Sequence, residues 1–424
     1  MGDELFKRYL EAFEEDAPVS IRLNPAIAEN KVFSQQFQAT ERVPWCRDGY
    51  YLPKRPAFTF DPLLHAGRYY VQEAASMFLD HVLHHLHHPS PITHHPSPTT
   101  HHLPPITHHP SNVLDLCAAP GGKSTIILSH LPEGSTFVSN EPNPKRAQIL
   151  SENLQKWQLS GLKVKSEKLK VFVSNGFPKD VRRAKIAFDM ILCDVPCSGE
   201  GMFRKDADSI GEWSVENVEK CWRLQREIVE DAWAMLRAGG HLIYSTCTLN
   251  TKENEENVRW MMEQFDAEPV VIPVEADWCI TGSLLPDFSA PVYRFIPGVT
   301  RGEGLFMAVL KKKGETEAKT EKKQASLSNL KLISNDFLNE IDEALRQQAP
   351  IVSLTYEQAI QYLRREAIVL PSDTPRGIVV VAFEGHTLGL AKNVGNRANN
   401  LYPKEWRIKS THIPKEYEAI FRHS

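Results

Sequence analysis

Three residues in this chain of 424 stand where covalent chemistry would need them. Asp194 and Cys197 follow the apolar run Phe188–Cys193 in the order Asp-Val-Pro-Cys-Ser-Gly, and Cys247 follows a second run, His241–Thr246. A thiolate is a strong nucleophile, a second thiol can carry a proton, and a carboxylate can orient the group under attack. Most cysteines have no such role, and Cys117, Cys193 and Cys221 read as apolar filler. Cys247 differs because it leaves its strand ahead of Thr-Leu-Asn and a new helix, whose N-terminus would lower a thiol's pKa.

A third apolar run, Asn112–Cys117, opens into Cys117-Ala118-Ala119-Pro120-Gly121-Gly122-Lys123. Two glycines at a strand-to-helix turn let backbone approach a ligand, and the helix N-terminus offers free N–H groups to an anionic end. The stretch is not a nucleotide-triphosphate loop: that pattern needs glycine five residues before Gly122, where Cys117 stands. The next run, Thr136–Asn140, ends at Glu141, a carboxylate placed to accept the hydroxyls of a ribose. By themselves these features indicate a nucleoside-type cofactor, or an exposed Glu before a Pro turn.

The elements that must position these residues alternate. With Lys170–Val173 there are five strand-like runs, separated by helical patterns such as Lys145–Trp157 and Val218–Leu236. Such alternation predicts an α/β fold, a doubly wound and mostly parallel sheet of the Rossmann-like type, with ligands beyond the carboxyl ends of the strands. In the usual strand order the fourth and fifth runs are neighbours, which brings Asp194, Cys197 and Cys247 to one edge of the cofactor crevice.

Composition is ordinary for a globular chain, at 42% apolar and 24% charged residues, and the start has neither a leader-like nor a membrane-spanning pattern. The chain reads as soluble and not exported. Its seven cysteines contain no Cys-x-x-Cys pair, which fits reduced thiols in a cytoplasm. Net charge is −4, yet Gly385–Ser424 holds seven Lys/Arg against three Asp/Glu. Residues 81–111 repeat His pairs at His87/His88, His94/His95, His101/His102 and His108/His109 in a Pro/Ser/Thr background, a pattern of irregular loop with no framework for a metal site. The charged stretch 313–331 reads as a linker.

A thiolate with a nearby nucleoside cofactor suits one reaction well. Carbon 5 of cytosine is too weak a nucleophile to attack a methyl sulfonium, but thiolate addition at carbon 6 makes an enamine whose carbon 5 can. Asp194 could hold the base at its N3 or N4 edge meanwhile. Taken in order, Arg22-Leu-Asn-Pro25, Tyr70-Val-Gln-Glu-Ala-Ala-Ser76, Asp115 to Lys123, Asp194 to Arg204, Tyr244-Ser-Thr-Cys-Thr-Leu249 and Glu253-Asn-Glu255 resemble the Sun-type RNA cytosine-C5 methyltransferases. Within that family they are similar to the bacterial small-subunit, 16S ribosomal RNA enzymes of the RsmF kind, over roughly residues 20 to 310.

The resemblance implies S-adenosylmethionine as cofactor, bound by Cys117 to Lys123, Glu141 and Asp194. It also implies Cys247 as nucleophile and Cys197 as the residue that helps release product. Having both cysteines points to RNA rather than DNA. Asn175 stands where the family commonly has an adenine-contacting Asp, and the His-rich insertion is a second departure, expected on the face away from the cofactor. The C-terminal part resembles a PUA-like RNA-binding domain, with Lys392, Arg397, Lys404 and Arg407 for phosphates and Tyr402 and Trp406 for stacking. On their own those residues are equally a plain basic β-domain.

The expected organisation is an N-terminal RNA-contacting region (1–60, with Trp45, Arg47 and Lys54), a methyltransferase domain (61–312), the linker, and a C-terminal domain (332–424). The expected partner is ribosomal RNA or the small subunit, met by a monomer. Transfer RNA as substrate, or a catalytically silent assembly factor, are the alternatives. Cysteines 197 and 247 and Asp194, all intact, speak against the silent protein.

Overall fold

The computed structural model describes residues 2–27, 33–38, 40–87, 111–159, 169–206, 208–314, 327–414 and 416–421. After helix α1 (Asp3–Glu11), strands β1 (Val19–Leu23), β2 (Gly49–Leu52) and β3 (Tyr69–Val71) form an antiparallel sheet in the order β2-β1-β3, with the short helix α2 (Pro62–His65) before β3. The N-terminal unit therefore runs past residue 60, because β3 is needed to flank β1. Helix α3 (Phe78–His87) follows and takes the first seven residues of the stretch expected to be irregular. Its apolar residues Phe78, Leu79, Val82 and Leu83 make one buried face, which explains why a His-rich sequence is helical there. The rest of that insertion, 88–110, lies outside the described residues.

The five expected strands all form: β4 (Asn112–Asp115), β5 (Thr136–Asn140), β6 (Lys170–Ser174), β7 (Phe188–Asp194) and β8 (Leu236–Thr246). They pair in parallel as β6-β5-β4-β7-β8, so β7 and β8 are neighbours as expected, with Asp194 in register with Ser245. Antiparallel strands extend both edges. On one side are β9 (Ala267–Pro269), β10 (Tyr293–Phe295) and β11 (Leu305–Lys312); on the other is β12 (Leu332–Ile333). The pairing of β12 with β6 corrects the expected boundary at 332, since these two residues belong to the central sheet. Of the expected linker, 315–326 lie outside the described residues.

Helices cover both faces, which is why the middle of each strand carries apolar residues on both sides of the sheet. Helices α3, α4 (Gly122–His130) and α5 (Pro144–Leu159) pack one face through Phe78, Ile126 and Leu150. Helices α6 (Pro178–Arg183), α8 (Val215–Met235) and α9 (Glu255–Gln264) pack the other through Val181, Ile228, Trp233 and Val258, while the short α7 (Asp208–Glu212) stays outside the core.

The C-terminal unit contains α10 (Asp336–Arg346), β13 (Ile351–Ser353), α11 (Tyr356–Leu363), β14 (Gly377–Phe383), β15 (His386–Asn393) and β16 (Ala398–Asn400), with a four-stranded sheet in sequence order. Its core is shared with the N-terminal sheet: Ile21, Leu23 and Tyr69 bury against the same cluster as Phe337, Ile341 and Val380. Lys54 pairs with Glu418, and Tyr417 donates to Asp61.

Candidate active site

The carboxyl ends of β4, β7 and β8 bring the predicted residues together. Cys197 and Cys247 face one another with their sulfurs 3.1 Å apart, and the Cys247 backbone N–H donates to the Cys197 sulfur at 3.3 Å. Asp194 accepts from Lys123 Nζ at 2.9 Å and from the Ser245 hydroxyl. Gly201 N–H donates to the Cys247 carbonyl at 2.7 Å, an approach only glycine allows, because a Cβ there would lie 2.7 Å from that oxygen and 2.6 Å from the Gly304 carbonyl.

These contacts set the two thiols apart. The hydrogen bond from Cys197 holds the Cys247 thiol below its ordinary pKa, against burial and Asp194, with help from Lys123. The same bond, with burial, pushes the Cys197 thiol up. Of the two, Cys247 is the more readily ionised and Cys197 the one that holds its proton more firmly. The cause differs from the one expected: helix α9 begins only at Glu255, and the groups that act on Cys247 are Cys197 and Lys123. Burial works against the Lys123 ammonium, yet Asp194 outweighs it and raises the lysine pKa.

Beside the thiols lies a cavity of about 180 Å³ lined by Asp115, Cys117 to Pro120, Gly122, Lys123 and Asp194, together with Tyr70, Gln72, Glu73 and Ser76 from the N-terminal part. Gly121, with φ at +112°, is the N-cap of α4 and turns the chain into that helix. Two polar atoms on the lining are buried without a partner: Asp115 Oδ1 and Gln72 Nε2. An acceptor and a donor left open in one cavity fit the ammonium and carboxylate of an amino-acid end, as S-adenosylmethionine has. Glu141 and Asn175 stand outside this lining, at the ends of β5 and β6. Glu141 accepts from Asn143 N–H and pairs with Arg146, and its own N–H donates to Ser174; Asn175 Oδ1 is buried without a partner, open to a ligand donor.

Several residues were not foreseen. Glu253 is fully buried and accepts from Ser198 N–H and Oγ, Gln225 Nε2 and Asn250 Nδ2, tying the Cys197 loop to the Cys247 loop. Glu200 makes a second tie by accepting from Leu249 N–H at 2.8 Å. Glu253, Glu200 and Gly201 lay within motifs noted above, whereas nothing in the local sequence marks Gln225.

Of the expected RNA contacts, Lys392, Arg397, Lys404 and Arg407 are exposed. Tyr402 is not a stacking surface, since it is 1% exposed and packs against Phe337 and Tyr362. Trp406 is half-buried on Phe337, with Lys156 over its ring. In the N-terminal region Trp45 is likewise core: its indole donates to the Ala74 carbonyl and packs on Phe295, while Arg47 and Lys54 remain exposed.

Comparison with known proteins places the chain in context. Residues 103–311 match the family described as 16S rRNA methyltransferase RsmB/F, residues 349–408 the methyltransferase RsmF PUA domain, and residues 1–74 the N-terminal domain of 16S rRNA methyltransferase RsmF. The "Ribosomal RNA small subunit methyltransferase F" of Erwinia tasmaniensis is 26% identical, over 94% of this chain and 92% of that protein. The protein of the same name from Pectobacterium atrosepticum is 32% identical, over 70% of this chain and 56% of its own length. Among solved structures, a methyltransferase homolog from Pyrococcus horikoshii is 26% identical with a TM-score of 0.54, covering 72% of this chain and 90% of that one. NSun6 from the same organism shares the fold with a TM-score of 0.55 at 20% identity, over 74% and 96% of the two chains.

Proposed function

The chain belongs to the RsmB/F family of 16S rRNA methyltransferases, and we propose that it methylates carbon 5 of a cytosine in 16S ribosomal RNA with Cys247 as the attacking thiolate. S-adenosylmethionine, held by the lining of the β4 cavity with Glu141 and Asn175 beyond it, supplies a methyl group made electrophilic by its sulfonium. The observation that carries the reading is the thiol pair beside that cavity, its sulfurs 3.1 Å apart and Cys247 the more readily ionised of the two.

The residues divide the work as follows. Cys247 adds to carbon 6 of the base; the new S–C bond sends the carbon 5–carbon 6 π pair toward carbon 5, which becomes the nucleophile that takes the methyl group. Once Cys247 is a neutral thioether, the hydrogen bond that raised the Cys197 pKa is gone, so Cys197 can lose its proton to solvent. As a thiolate it then takes the proton from carbon 5. The C–H pair restores the double bond, and the C–S pair leaves with Cys247. Asp194, fixed by Lys123 and Ser245, borders both cavity and thiols and can accept from the base edge.

The exposed Lys392, Arg397, Lys404 and Arg407 suit phosphate contacts. No helix among the described residues is long and apolar enough to cross a membrane. We propose a cytoplasmic monomer that acts on RNA and not on DNA. The test is transfer of labelled methyl to small ribosomal subunits, naked 16S RNA and transfer RNA, with the modified base identified by mass spectrometry. We expect 5-methylcytosine in 16S RNA. Methylation confined to transfer RNA would replace the substrate, and none on any RNA despite cofactor binding would leave an assembly factor.

Asp115 gives this function a pH signature. Burial pushes its carboxyl up to about 7, offset in part by the Ser124 hydroxyl. A ligand ammonium beside Oδ1 favours the ionised form, so binding below pH 7 must displace a proton. Calorimetry should show S-adenosylmethionine binding weaken as pH falls from 8 to 6, by up to about tenfold per unit below 7. In Asp115→Asn the slope should vanish; a slope that survives would assign the titration elsewhere.

A further inference from the structure

The cofactor cavity is walled on one side by the N-terminal unit, through a side chain whose orientation is fixed. Gln72 follows β3 and is 6% exposed. Its backbone is pinned to β1: the N–H donates to the Ser20 carbonyl, and its carbonyl accepts from Ser20 Oγ at 2.6 Å. Its Oε1 accepts from Arg22 Nε at 2.9 Å. Arg22 is itself buried, with Nη2 donating to Thr125 on α4 and the guanidinium over Trp157. Because an arginine nitrogen only donates, the amide must present its oxygen to Arg22, and the two N–H bonds of Nε2 point the other way.

That other way is the cavity. Gln72 Nε2 is buried with no partner, lines the cavity, and lies 3.3 Å from where a Cβ on Gly122 would be. It therefore sits over the first residue of the nine-residue helix α4, whose own first N–H groups lack intrahelical partners. The other charged groups on the lining are engaged. Glu73 accepts from the N–H groups of Ala75, Ser76 and Glu303, and Asp194 holds Lys123. What remains open is a cluster of donors at Gly122 and, separately, the acceptor Asp115 Oδ1.

We propose that Gln72 binds the carboxylate at the amino-acid end of S-adenosylmethionine, so that the N-terminal unit completes the cofactor site. This rests on the cofactor reading above. It accounts for a buried donor that would otherwise stay unsatisfied, and for the glycine at 122, since a side chain there would fill the space between amide and helix. It also makes the β1–β3 sheet, through Arg22, a support of cofactor affinity rather than only of RNA contact.

Calorimetry on the full chain separates the possibilities. The ligands are S-adenosylhomocysteine, which keeps the amino-acid end, and 5′-methylthioadenosine, which lacks it. Gln72→Met removes the donor; Gln72→Glu removes it while keeping an acceptor for Arg22, so that loosening of Arg22 cannot imitate the result. Both variants should bind S-adenosylhomocysteine about tenfold more weakly or worse, the loss expected for one buried donor to a charged acceptor. Their affinity for 5′-methylthioadenosine should match wild type. Unchanged S-adenosylhomocysteine binding in both variants would overturn the contact, and so would equal weakening of both ligands, which would mean that Gln72 only shapes the site. If wild type binds neither ligand, the cofactor reading itself fails.

Discussion

The Cys247→Ala variant is expected to lose methyl transfer by about 10⁴-fold or more, the scale on which removal of a covalent nucleophile acts, while still binding S-adenosylhomocysteine and RNA. Cys197→Ala should fail differently. Cys247 can still add to the base, and carbon 5 can still take the methyl group, but the carbon 5 proton then lacks its acceptor. The protein should remain joined to RNA, and denaturing gels should show a covalent band that is absent in wild type and in Cys247→Ala. Cys197→Ala also removes the hydrogen bond that lowers the Cys247 thiol. Adduct formation in that variant should therefore rise at a higher pH than wild-type turnover does. A covalent band in Cys247→Ala would reverse the two roles, and turnover near the wild-type rate in either variant would sink the scheme.

Most of what could be read in advance depended on short-range pattern. The five parallel strands were visible because a sheet covered on both faces demands apolar runs with turns at fixed ends, and chemistry at the carboxyl ends follows from topology. Thus Asp194, Cys197, Cys247 and the Gly-rich turn were legible as a group. What failed was whatever depends on a distant partner. Trp45 and Tyr402 read as RNA-contacting residues in sequence, yet each fills a core built from segments far away along the chain. The lowering of the Cys247 pKa comes first from a sulfur 50 residues earlier and not from the helix that follows it in sequence. Gln72 carried no sign of its open amide, which exists only because Arg22 fixes one end and α4 lies beneath the other.

Glu253 ties the loop that carries Cys197 to the loop that follows Cys247. The Glu253 carboxylate receives four donors: Ser198 Oγ and Asn250 on Oε1, Ser198 N–H and Gln225 on Oε2. In Glu253→Gln one oxygen becomes an NH₂ group facing two of those donors, whichever way the amide turns. Neither neighbouring amide can flip to compensate. Asn250 Oδ1 already accepts from the Glu253 N–H, and Gln225 Oε1 accepts from Asn257 and Tyr244. Only the Ser198 hydroxyl can turn, toward Thr248. An unsatisfied buried group of this kind costs about 1–3 kcal/mol, so a lower melting temperature is expected. The larger effect should be on rate, because Ser198 adjoins Cys197, and a shift of about 1 Å at a reacting centre costs on the order of 10²-fold. Methyl transfer in Glu253→Gln should fall by about that factor, with cofactor affinity unchanged because Glu253 does not line the cavity. A slowed release of the covalent adduct, measured at a temperature well below melting, would show that the loss is one of geometry. A variant that melts early but turns over normally in the cold would make Glu253 a stabilising residue and leave the sulfur spacing to Glu200 and Gly201.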